Sequence, residues 1–410
     1  MKPSKRNPVH RMPAPLLPPG ARSRSAQLLT AAAATGRFAL PACERCGAFA
    51  WPIPEACPHC LGPIALRDAE AFGEVLSATT AQIPADRYFR ERAPWPVGLV
   101  QLDCGPVALT HLAPSLEPGA RVRLRLVLDR AGQAVLHAGP MEGDAMLTDP
   151  VLREMTASPR GRRIMITDAR HFCAVALTRA LIKAEAASVT LGLPEAWKTF
   201  ADRSVLKSIP GVRIVPLDVT SDRSVQDLAA EIGGKVDILI NTADLPRPGG
   251  LLGPRSMVEA KAAMDVVAFG QMRLARSFGP ALQARAADGA VAWVNLSSVF
   301  GLAPPPALAG YAAAHAAGIS LSKALRAELG AGGIRLMSVL TGPTEDAWFQ
   351  GFSAPRVTAA ALADAIAGGL NAGLEEVVLG DIARDLAQRL ADNPKSVERD
   401  MARGQWGGAA

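Results

Sequence analysis

The segment "NLSSVFGLAPPPALAGYAAAH", residues 295–315, contains Ser298, Tyr311 and His315, whose side chains can exchange protons. Tyr311 and His315 are four residues apart, so in a helix they lie on one face. A tyrosine hydroxyl ionises near pH ~10 and needs a nearby cation to act as an acid or base at neutral pH. Histidine, with an ordinary pKa of about 6.5, is mostly neutral at pH 7 and is a weak source of that charge. With Ser298, the segment indicates a proton-transfer site that is either working or vestigial.

A cluster of four cysteines is the second group that can do chemistry: Cys43, Cys46, Cys57 and Cys60. The spacing, Cys-x2-Cys, ten residues, Cys-x2-Cys, is typical of two knuckles whose thiolates bind one Zn²⁺ in a closed tetrahedron. A closed site has no open coordination position, which predicts a structural zinc. Two alternatives stay open: two unrelated pairs, or a redox dithiol in "CPHC", which would need a helix N-terminus in a thioredoxin-like setting.

The composition limits the classes to which the protein can belong. A chain of 410 residues is too long for one ordinary core, which favours two domains. Residues 1–25, rich in Pro, Arg and Ser, are predicted to form a disordered basic tail, and without its charges the rest is about neutral. We see no bilayer-spanning apolar run, secretory signal or nucleic-acid-binding motif, so we expect a cytoplasmic protein that binds neither membrane nor nucleic acid.

Residues 26–140 are expected to form a small domain rich in strands. "AQLLTAAAATGR" predicts a short helix that ends at Gly36, and hairpins are expected around "DCGP" and "RAGQ". In "RVRLRLVL" apolar residues alternate strictly with Arg121, Arg123 and Arg125, as in a strand with one buried face. Several such strands at short spacing favour a small β-barrel.

A linker is predicted at residues 141–160, and the periodicity changes after it. Between residues 161 and 392, helical segments alternate with apolar runs: "RIMIT", "ASVTL", "VRIVPL", "DILIN", "VAWVNL", "IRLMSVL" and "EEVVLG". This alternation is typical of an α/β doubly wound parallel sheet of Rossmann type. Residues 393–410 are expected to be a C-terminal tail, so the predicted fold class is multidomain.

The first domain resembles the zinc-ribbon/OB-fold acyl-CoA-associated proteins over about residues 26–140. The resemblance is carried by "GRFALPACERCG", "CPHC", "FGEVLSATTA" and "PVGLVQLDCGPVALTHL". Members of that family stand beside thiolases, hydratases or acyltransferases and help to hold acyl-CoA, which implies acyl-CoA and an acyl-CoA enzyme as partners. The arginine row is a candidate contact for CoA phosphates, and it is explained at least as well as a solvated strand face.

The second domain resembles the short-chain dehydrogenase/reductase (SDR) family from residue 162 to about 390. Its parts follow the family's order: first strand and turn, "LDVT", "NTAD", "VNLSSVFG", Tyr311 and "TGPTEDAW". Ser298 precedes Tyr311 by 13 residues, the spacing of the family's catalytic pair. The resemblance implies that Ser298 positions the substrate oxygen and that Tyr311 is the acid/base, assisted by a lysine and an asparagine.

The turn that binds the cofactor diphosphate in that family is altered here. In "TDARHFCA", Asp168, Phe172 and Ala174 occupy the three positions where the family has glycines. Those glycines allow the diphosphate to approach the backbone closely. A carboxylate and a ring at these positions oppose it by charge and by bulk, so we expect no NAD(P) binding at ordinary cellular concentrations.

Two residues on the cofactor side match the family pattern. Asp218 of "LDVT" is at the position that meets adenine, and Asn241 is retained in "NTAD", although Asp244 replaces the usual glycine. The alternative explanation is that Asp218 and Asn241 organise strand ends in the empty fold.

The catalytic motif is altered as well. The family's lysine position is His315 and its asparagine position is Val267. We therefore predict that the SDR-like domain is inactive, with Ser298, Tyr311 and His315 vestigial or adapted.

Two hypotheses of function follow. In the first, the chain is an accessory subunit of an acyl-CoA-processing complex. Its SDR helices, about residues 256–285 and 311–330, then dock a thiolase or an active SDR subunit in a homo- or hetero-oligomer. In the second, it is an NAD(P)-dependent SDR oxidoreductase that interconverts 3-oxoacyl-CoA and 3-hydroxyacyl-CoA.

Overall fold

A computed structural model describes residues 15–20, 25–141, 149–352 and 355–404. The described residues up to Thr156 form one compact unit, and those from Ala157 onward form a second. Of the predicted N-terminal tail, residues 1–14 and 21–24 lie outside the described residues. Residues 15–20 belong to the first unit, where Arg92 donates a hydrogen bond to Pro15 O and Gln133 donates one to Pro19 O.

The first unit begins with a helix and a two-stranded ribbon. Helix α1, Leu28–Ala34, ends before Gly36, whose φ of 73° is in the left-handed region, so the predicted helix is confirmed. Strands β1, Ala39–Cys43, and β2, Ile64–Asp68, are antiparallel, and the loop between them carries most of the cysteine cluster.

Five strands then close into a barrel: β3, Phe72–Ala81; β4, Trp95–Leu102; β5, Val107–Leu112; β6, Arg121–Leu128; and β7, Ala134–Pro140. Their order is β3-β4-β5-β7-β6, with β6 pairing back to β3 and with β5 and β7 parallel. This is the order of an OB-fold, and both predicted hairpins are present. Short helix α2, Arg87–Arg90, lies between β3 and β4.

The alternation in β6 is the one the sequence indicates. Val122, Leu124 and Leu126 are buried in the barrel core with residues of α1. Arg121 and Arg123 are exposed on the other face, whereas Arg125 is half-buried.

Helix α3, Pro150–Met155, lies within the segment predicted as a linker. Asp149 caps it, accepting hydrogen bonds from Val151 N and Leu152 N, and its Oδ2 lies 2.7 Å from His137 Nε2 on β7. Apolar residues of α3 pack on the outer face of the barrel: Val151, Leu152 and Met155. The helix therefore belongs to the first unit because that strand face offers both an apolar surface and a polar partner.

The second unit is a seven-stranded parallel sheet of order β10-β9-β8-β11-β12-β13-β14. The strands are β8, Arg163–Ile166; β9, Ser188–Leu193; β10, Val212–Pro216; β11, Ile238–Asn241; β12, Ala292–Ser298; β13, Arg335–Thr341; and β14, Glu376–Leu379. All seven apolar runs form strands of one sheet, so the predicted doubly wound fold is confirmed.

Helices connect these strands: α4, Ala174–Lys183; α5, Arg203–Ser208; α6, Asp222–Ile232; α7, Ser256–Met264; α8, Gly270–Ala284; α9, Ala309–Ala331; and α10, Ala359–Ala372. A π-helical segment, Asp265–Phe269, joins α7 to α8. None of the helices in the described ranges combines the length and the apolar character that a membrane span requires.

The C-terminal part of the chain is more ordered than the sequence predicts. Helix α11, Asp381–Asp392, is followed by α12, Pro394–Ala402, inside the segment predicted as a tail. Asn393 caps α12, and Val397 and Met401, four residues apart, are buried in a cluster with Phe300 and Leu386. These two apolar residues on one helical face and an ion pair between Asp400 and Arg389 of α11 hold α12 on the domain. Residues 405–410 lie outside the described part.

Candidate functional site

The structure brings the four cysteines into one cluster. Their sulfur atoms all lie within 4.8 Å of one another. Cys43 Sγ is 3.5 Å from Cys60 Sγ, and Cys46 Sγ is 3.6 Å from Cys57 Sγ. The donor set is thus four thiols arranged around one point.

Two similar turns position these sulfurs. In the first, Gly47 N donates to Cys43 O, and Gly47 has a φ of 75°; in the second, Leu61 N donates to Cys57 O, and Leu61 has a φ of 57°. The backbone N–H of Cys46 donates to Cys43 Sγ and lowers the pKa of that thiol to about 6, favouring the thiolate that a metal needs.

This arrangement fits a tetrahedral Zn²⁺, which four thiolates would hold with no position left for a substrate. Residues 44–63 form turns and irregular segments without a helix. The helix N-terminus that the redox-dithiol alternative requires is therefore absent from this part of the first unit. The metal would act by joining the two turns, and would supply no chemistry.

The arginine row is not a uniform cationic surface. Arg121 donates two hydrogen bonds to the Asp103 carboxylate, at 2.8 and 2.7 Å. Arg123 is exposed, whereas burial first, and then the charge of Arg123, lower the pKa of Arg125. A phosphate on this face would have to compete with Asp103 for Arg121.

In the second unit, the three proton-exchanging residues meet in one cleft of about 180 Å³. Ser298 is the last residue of β12, and Tyr311 and His315 lie on α9. All three side chains are buried, with 2 to 4% of their surface exposed. The cleft lies at the carboxyl ends of the parallel strands, where doubly wound sheets bind ligands.

Asp244, three residues beyond β11, joins two of these groups. Tyr311 Oη donates to Asp244 Oδ2 at 3.1 Å, and His315 Nε2 lies 3.1 Å from Asp244 Oδ1. Burial opposes ionisation of Asp244, but its pKa is held below the usual value, first by electrostatic attraction to His315 and then by the hydrogen bond from His315, by nearby His171 and by the hydrogen bond from Tyr311. Burial first, and then the charge of Asp244, raise the pKa of Tyr311 well above its usual value.

The hydrogen bonds also fix the protonation of His315. The backbone N–H of Ser298 donates to His315 Nδ1 at 3.1 Å, so that nitrogen carries no proton. Nε2 is then the protonated nitrogen and donates to Asp244. The group hydrogen-bonded to the tyrosine hydroxyl is therefore a carboxylate, and His315 occupies the position where the family has a lysine.

The turn after β8 holds its own carboxylate where a diphosphate would need backbone N–H groups. Asp168 Oδ1 accepts from Arg170 N at 2.8 Å, and burial raises the pKa of Asp168. Arg170 also lies near Glu195, at 3.2 Å, so its charge is shared. Phe172 packs against the core beside the start of α4 at Ala174. These residues do not fit the diphosphate of a dinucleotide.

Val267 lies in the π-helical segment between α7 and α8. It is buried against Ala263 and Ala314, with 5% of its surface exposed. A π-turn often marks a functional position, but a valine side chain has no polar atom with which to hold water.

The two retained cofactor-side residues bond within the protein. Asp218 Oδ1 accepts from Thr220 N at 2.9 Å and from Thr220 Oγ1 at 2.7 Å. Asn241 Oδ1 accepts from Thr167 Oγ1 at 3.0 Å, and its Nδ2 lies 3.4 Å from Asn295 Oδ1. Both sets of contacts are those expected if Asp218 and Asn241 organise the ends of strands, which is the alternative to a role in cofactor binding.

Sequence reasoning identified Asp244 as a lost glycine but did not predict that it bridges Tyr311 and His315. The signal that could have found it is its place in the loop that follows a buried strand of the sheet, three residues beyond β11. His171 also lines the cleft and was missed, and its Nδ1 lies 3.0 Å from Cys173 Sγ.

Comparisons with known proteins agree with this division of the chain. Residues 30–66 match the model of the rubredoxin-like zinc ribbon domain of ChsH2, and residues 67–127 match that of the ChsH2 C-terminal OB-fold domain. Residues 147–355, about half of the chain, match the short chain dehydrogenase model.

Similar individual proteins cover the second unit only in part. The short-chain dehydrogenase ptmH of Penicillium ochrochloron is 31% identical over 152 residues, which are 35% of this chain and 53% of that protein. The probable oxidoreductase EphD of Mycobacterium tuberculosis is 32% identical over 145 residues, covering 34% of this chain and 24% of EphD. The chain thus spans about half the length, or less, of these relatives.

Among solved structures, a short-chain dehydrogenase from Burkholderia cenocepacia J2315 in complex with NADP is 27% identical, with a TM-score of 0.54. It covers 60% of this chain and 98% of its own length. The chain belongs to the short-chain dehydrogenase family and carries ChsH2-type zinc-ribbon and OB-fold domains at its N-terminal end.

Proposed function

We propose that this chain is an accessory subunit of an acyl-CoA-processing complex, and that its SDR-type domain supports a partner without transferring hydride. The observation that carries this proposal is the Asp244 carboxylate between Tyr311 and His315. Reduction of a carbonyl requires the tyrosine to release its proton, and a cation beside it makes that easier. Here a carboxylate accepts the tyrosine hydrogen bond and disfavours tyrosinate by its charge.

The turn after β8 supports the same proposal. A second negative charge at Asp168 and a ring at Phe172 oppose the diphosphate by charge and by bulk. Together they are expected to weaken dinucleotide binding by roughly a hundredfold or more, at about 1.4 kcal/mol for each tenfold.

Calorimetry of the full chain with NADPH and with NADH tests the cofactor part. We expect no binding at micromolar dinucleotide, and a gain in affinity for the double variant Asp168→Gly and Phe172→Gly. Asp288→Gly, an exposed turn residue elsewhere in the same unit, removes the same charge as a control. Micromolar binding by the parent chain would overturn the proposal.

The proposed role in acyl-CoA processing rests on the ChsH2-type domains. The proposed docking of a partner subunit rests on the surface of α7 and α8. Four large apolar side chains near these helices are 48 to 65% exposed: Met257, Val258, Phe269 and Met272. A groove of about 440 Å³ lies between α8 and α9, with Ala275 and Gly279 among its lining residues. Small residues allow a helix of a thiolase or of an active SDR subunit to approach closely.

Co-purification followed by sedimentation analysis tests this surface. We expect Phe269→Lys to dissociate the complex, since it places a charge in the apolar patch. Trp197→Lys, at a 77% exposed residue between β9 and α5 that does not line this groove, is the matched control. A complex that survives Phe269→Lys unchanged would exclude this face as the docking site.

The second candidate is an NAD(P)-dependent oxidoreductase acting on 3-oxoacyl-CoA or 3-hydroxyacyl-CoA. It is favoured by the presence of Ser298 and Tyr311 in one cleft. If the parent chain turns over 3-oxoacyl-CoA with NADPH and Tyr311→Phe does not, the chain is an enzyme. If the parent chain and the Tyr311→Phe variant support a partner's activity equally, Tyr311 has no part in catalysis.

A further inference from the structure

The outer face of the barrel contains a cavity of about 190 Å³ whose lining shares no residue with the sites described above. Its walls are mainly aromatic and apolar: Tyr88, Phe89, Trp95, His111, Val135 and Met155. The rings contact one another, with centroids 5.1 Å apart for Phe89 and Trp95 and 5.7 Å apart for Trp95 and His111. The wall is thus a packed aromatic cluster beside an open space.

The polar atoms at this wall already have partners within the protein. Trp95 Nε1 donates to His111 Nδ1 at 2.9 Å. Asp129, which also lines the cavity, accepts from Ala131 N at 2.8 Å and from Gln133 N at 3.0 Å through Oδ1. An occupant therefore meets ring faces and methyl groups, with little demand for hydrogen bonding.

Pro18 and Pro19 cover the cavity from the N-terminal side. Their segment, residues 15–20, has no helix or strand and is held by side chains at its two ends. Arg92 Nη1 donates to Pro15 O at 3.2 Å, and Gln133 Nε2 donates to Pro19 O at 2.7 Å. Opening the cover would break these two hydrogen bonds and expose the buried Pro18, and it would leave the strand pairing of the barrel intact.

We propose that this cavity binds a small uncharged apolar group of about the size of one aromatic ring, and that residues 15–20 are its lid. An enclosed apolar cavity of about 150 Å³ is large enough to take benzene, and this cavity, which is open to solvent on one side, has room for a group of that size. Aromatic walls give such a group ring-to-ring contacts in addition to removing it from water. The proposal does not depend on the accessory role, because it involves neither acyl-CoA nor the second unit.

Toluene is a suitable probe for the full zinc-loaded chain. We expect saturation-transfer NMR to show toluene bound, and toluene to shift the indole N–H resonance of Trp95 but not that of Trp197, which belongs to the second unit. Val135→Phe, which places a ring in the cavity, should weaken binding at least tenfold. Leu109→Phe, at a 64% exposed residue of β5, adds the same ring outside it as a control.

The lid is tested by Gln133→Ala, which removes one of its two hydrogen bonds. We expect toluene to exchange faster, with the unfolding temperature of the barrel unchanged. Gln101→Ala removes another glutamine-to-carbonyl bond, to Gly105 O, and should leave exchange as in the parent. Absence of toluene binding, or no shift of the Trp95 resonance, would overturn the site even if Val135→Phe failed to fold. Equal exchange rates in the parent and Gln133→Ala would overturn the lid.

Discussion

Asp244 is the residue whose position the rest of the cleft depends on. A glycine at this point leaves open space between β11 and α9, whereas the aspartate fills it and takes hydrogen bonds from Tyr311 and His315. With both oxygens bonded and the charge partly buried, the carboxylate is stable where it is. The consequence is a tyrosine whose proton is held more tightly than in water.

The first prediction concerns that proton. Asp244→Asn removes the negative charge beside Tyr311, so the pKa of Tyr311 should fall relative to the parent. The chain has two tyrosines, and burial raises the pKa of the other, Tyr88, to about 12. Absorbance titration of tyrosinate in a Tyr88→Phe background would follow Tyr311 alone, and an unchanged midpoint would show that Asp244 does not set it.

The paired cysteine turns allow a prediction at the scale of the element. Leu61 has the left-handed backbone that Gly47 has in the first turn, and it is 81% exposed. A non-glycine residue in this conformation costs about 1 kcal/mol. We therefore expect Leu61→Gly to stabilise the first unit by up to about 1 kcal/mol and Gly47→Leu to destabilise it, as measured by urea unfolding of the metal-loaded protein. A Leu61→Gly variant that is less stable than the parent, together with a Gly47→Leu variant that is more stable, would contradict this interpretation.

A further prediction concerns the amino ends of the parallel strands. Asp237, just before β11, is buried and bonds to Arg163 and Arg285. Burial alone would raise the pKa of Asp237, but hydrogen bonds, first from Arg163, hold it below the usual value. Because the pKa is lower in the fold, this stability is present above pH ~4 and is lost as the pH falls through the folded value.

Asp237→Asn should therefore lower the free energy of unfolding by about 2 kcal/mol at pH 7 and flatten its decline in acid. Denaturant unfolding at pH 7 and at low pH measures both effects. Asp227→Asn, at an exposed residue of α6, should change neither.

The elements also show what the sequence could and could not predict. The seven strands of the sheet were predictable because buried parallel strands are continuous apolar runs. Helix α12 was missed because its buried residues are only Val397 and Met401. Helix α3 was missed because its apolar residues are buried against a face of the barrel that forms only in the folded chain. The cleft residues followed from motif spacing, but the Asp244 bridge did not, since it depends on where a side chain points after the chain folds.

For the whole molecule, the two compact units predict separate responses to loss of metal. The four cysteines lie in the first unit, and metal binding there is coupled to folding. Zinc removal by a chelator, or Cys57→Ser, should unfold the first unit and leave the second folded, with about one zinc per chain in the parent. Hydrogen exchange with mass spectrometry measures the folding of each unit separately, and Cys104→Ser is the control. A metal-free protein with an intact first unit would contradict the prediction.

Because His315 forms hydrogen bonds with the Ser298 amide and with Asp244, the effect of a lysine at position 315 depends on the residue at position 244. His315→Lys alone would leave the Ser298 amide without its acceptor. The new ammonium would pair with Asp244, and that carboxylate would still accept the hydrogen bond of the Tyr311 hydroxyl. Asp244→Gly alone would remove the partner of His315 Nε2 inside a buried pocket. Neither single step restores what a proton donor needs, so a lysine at position 315 requires a change at position 244 as well.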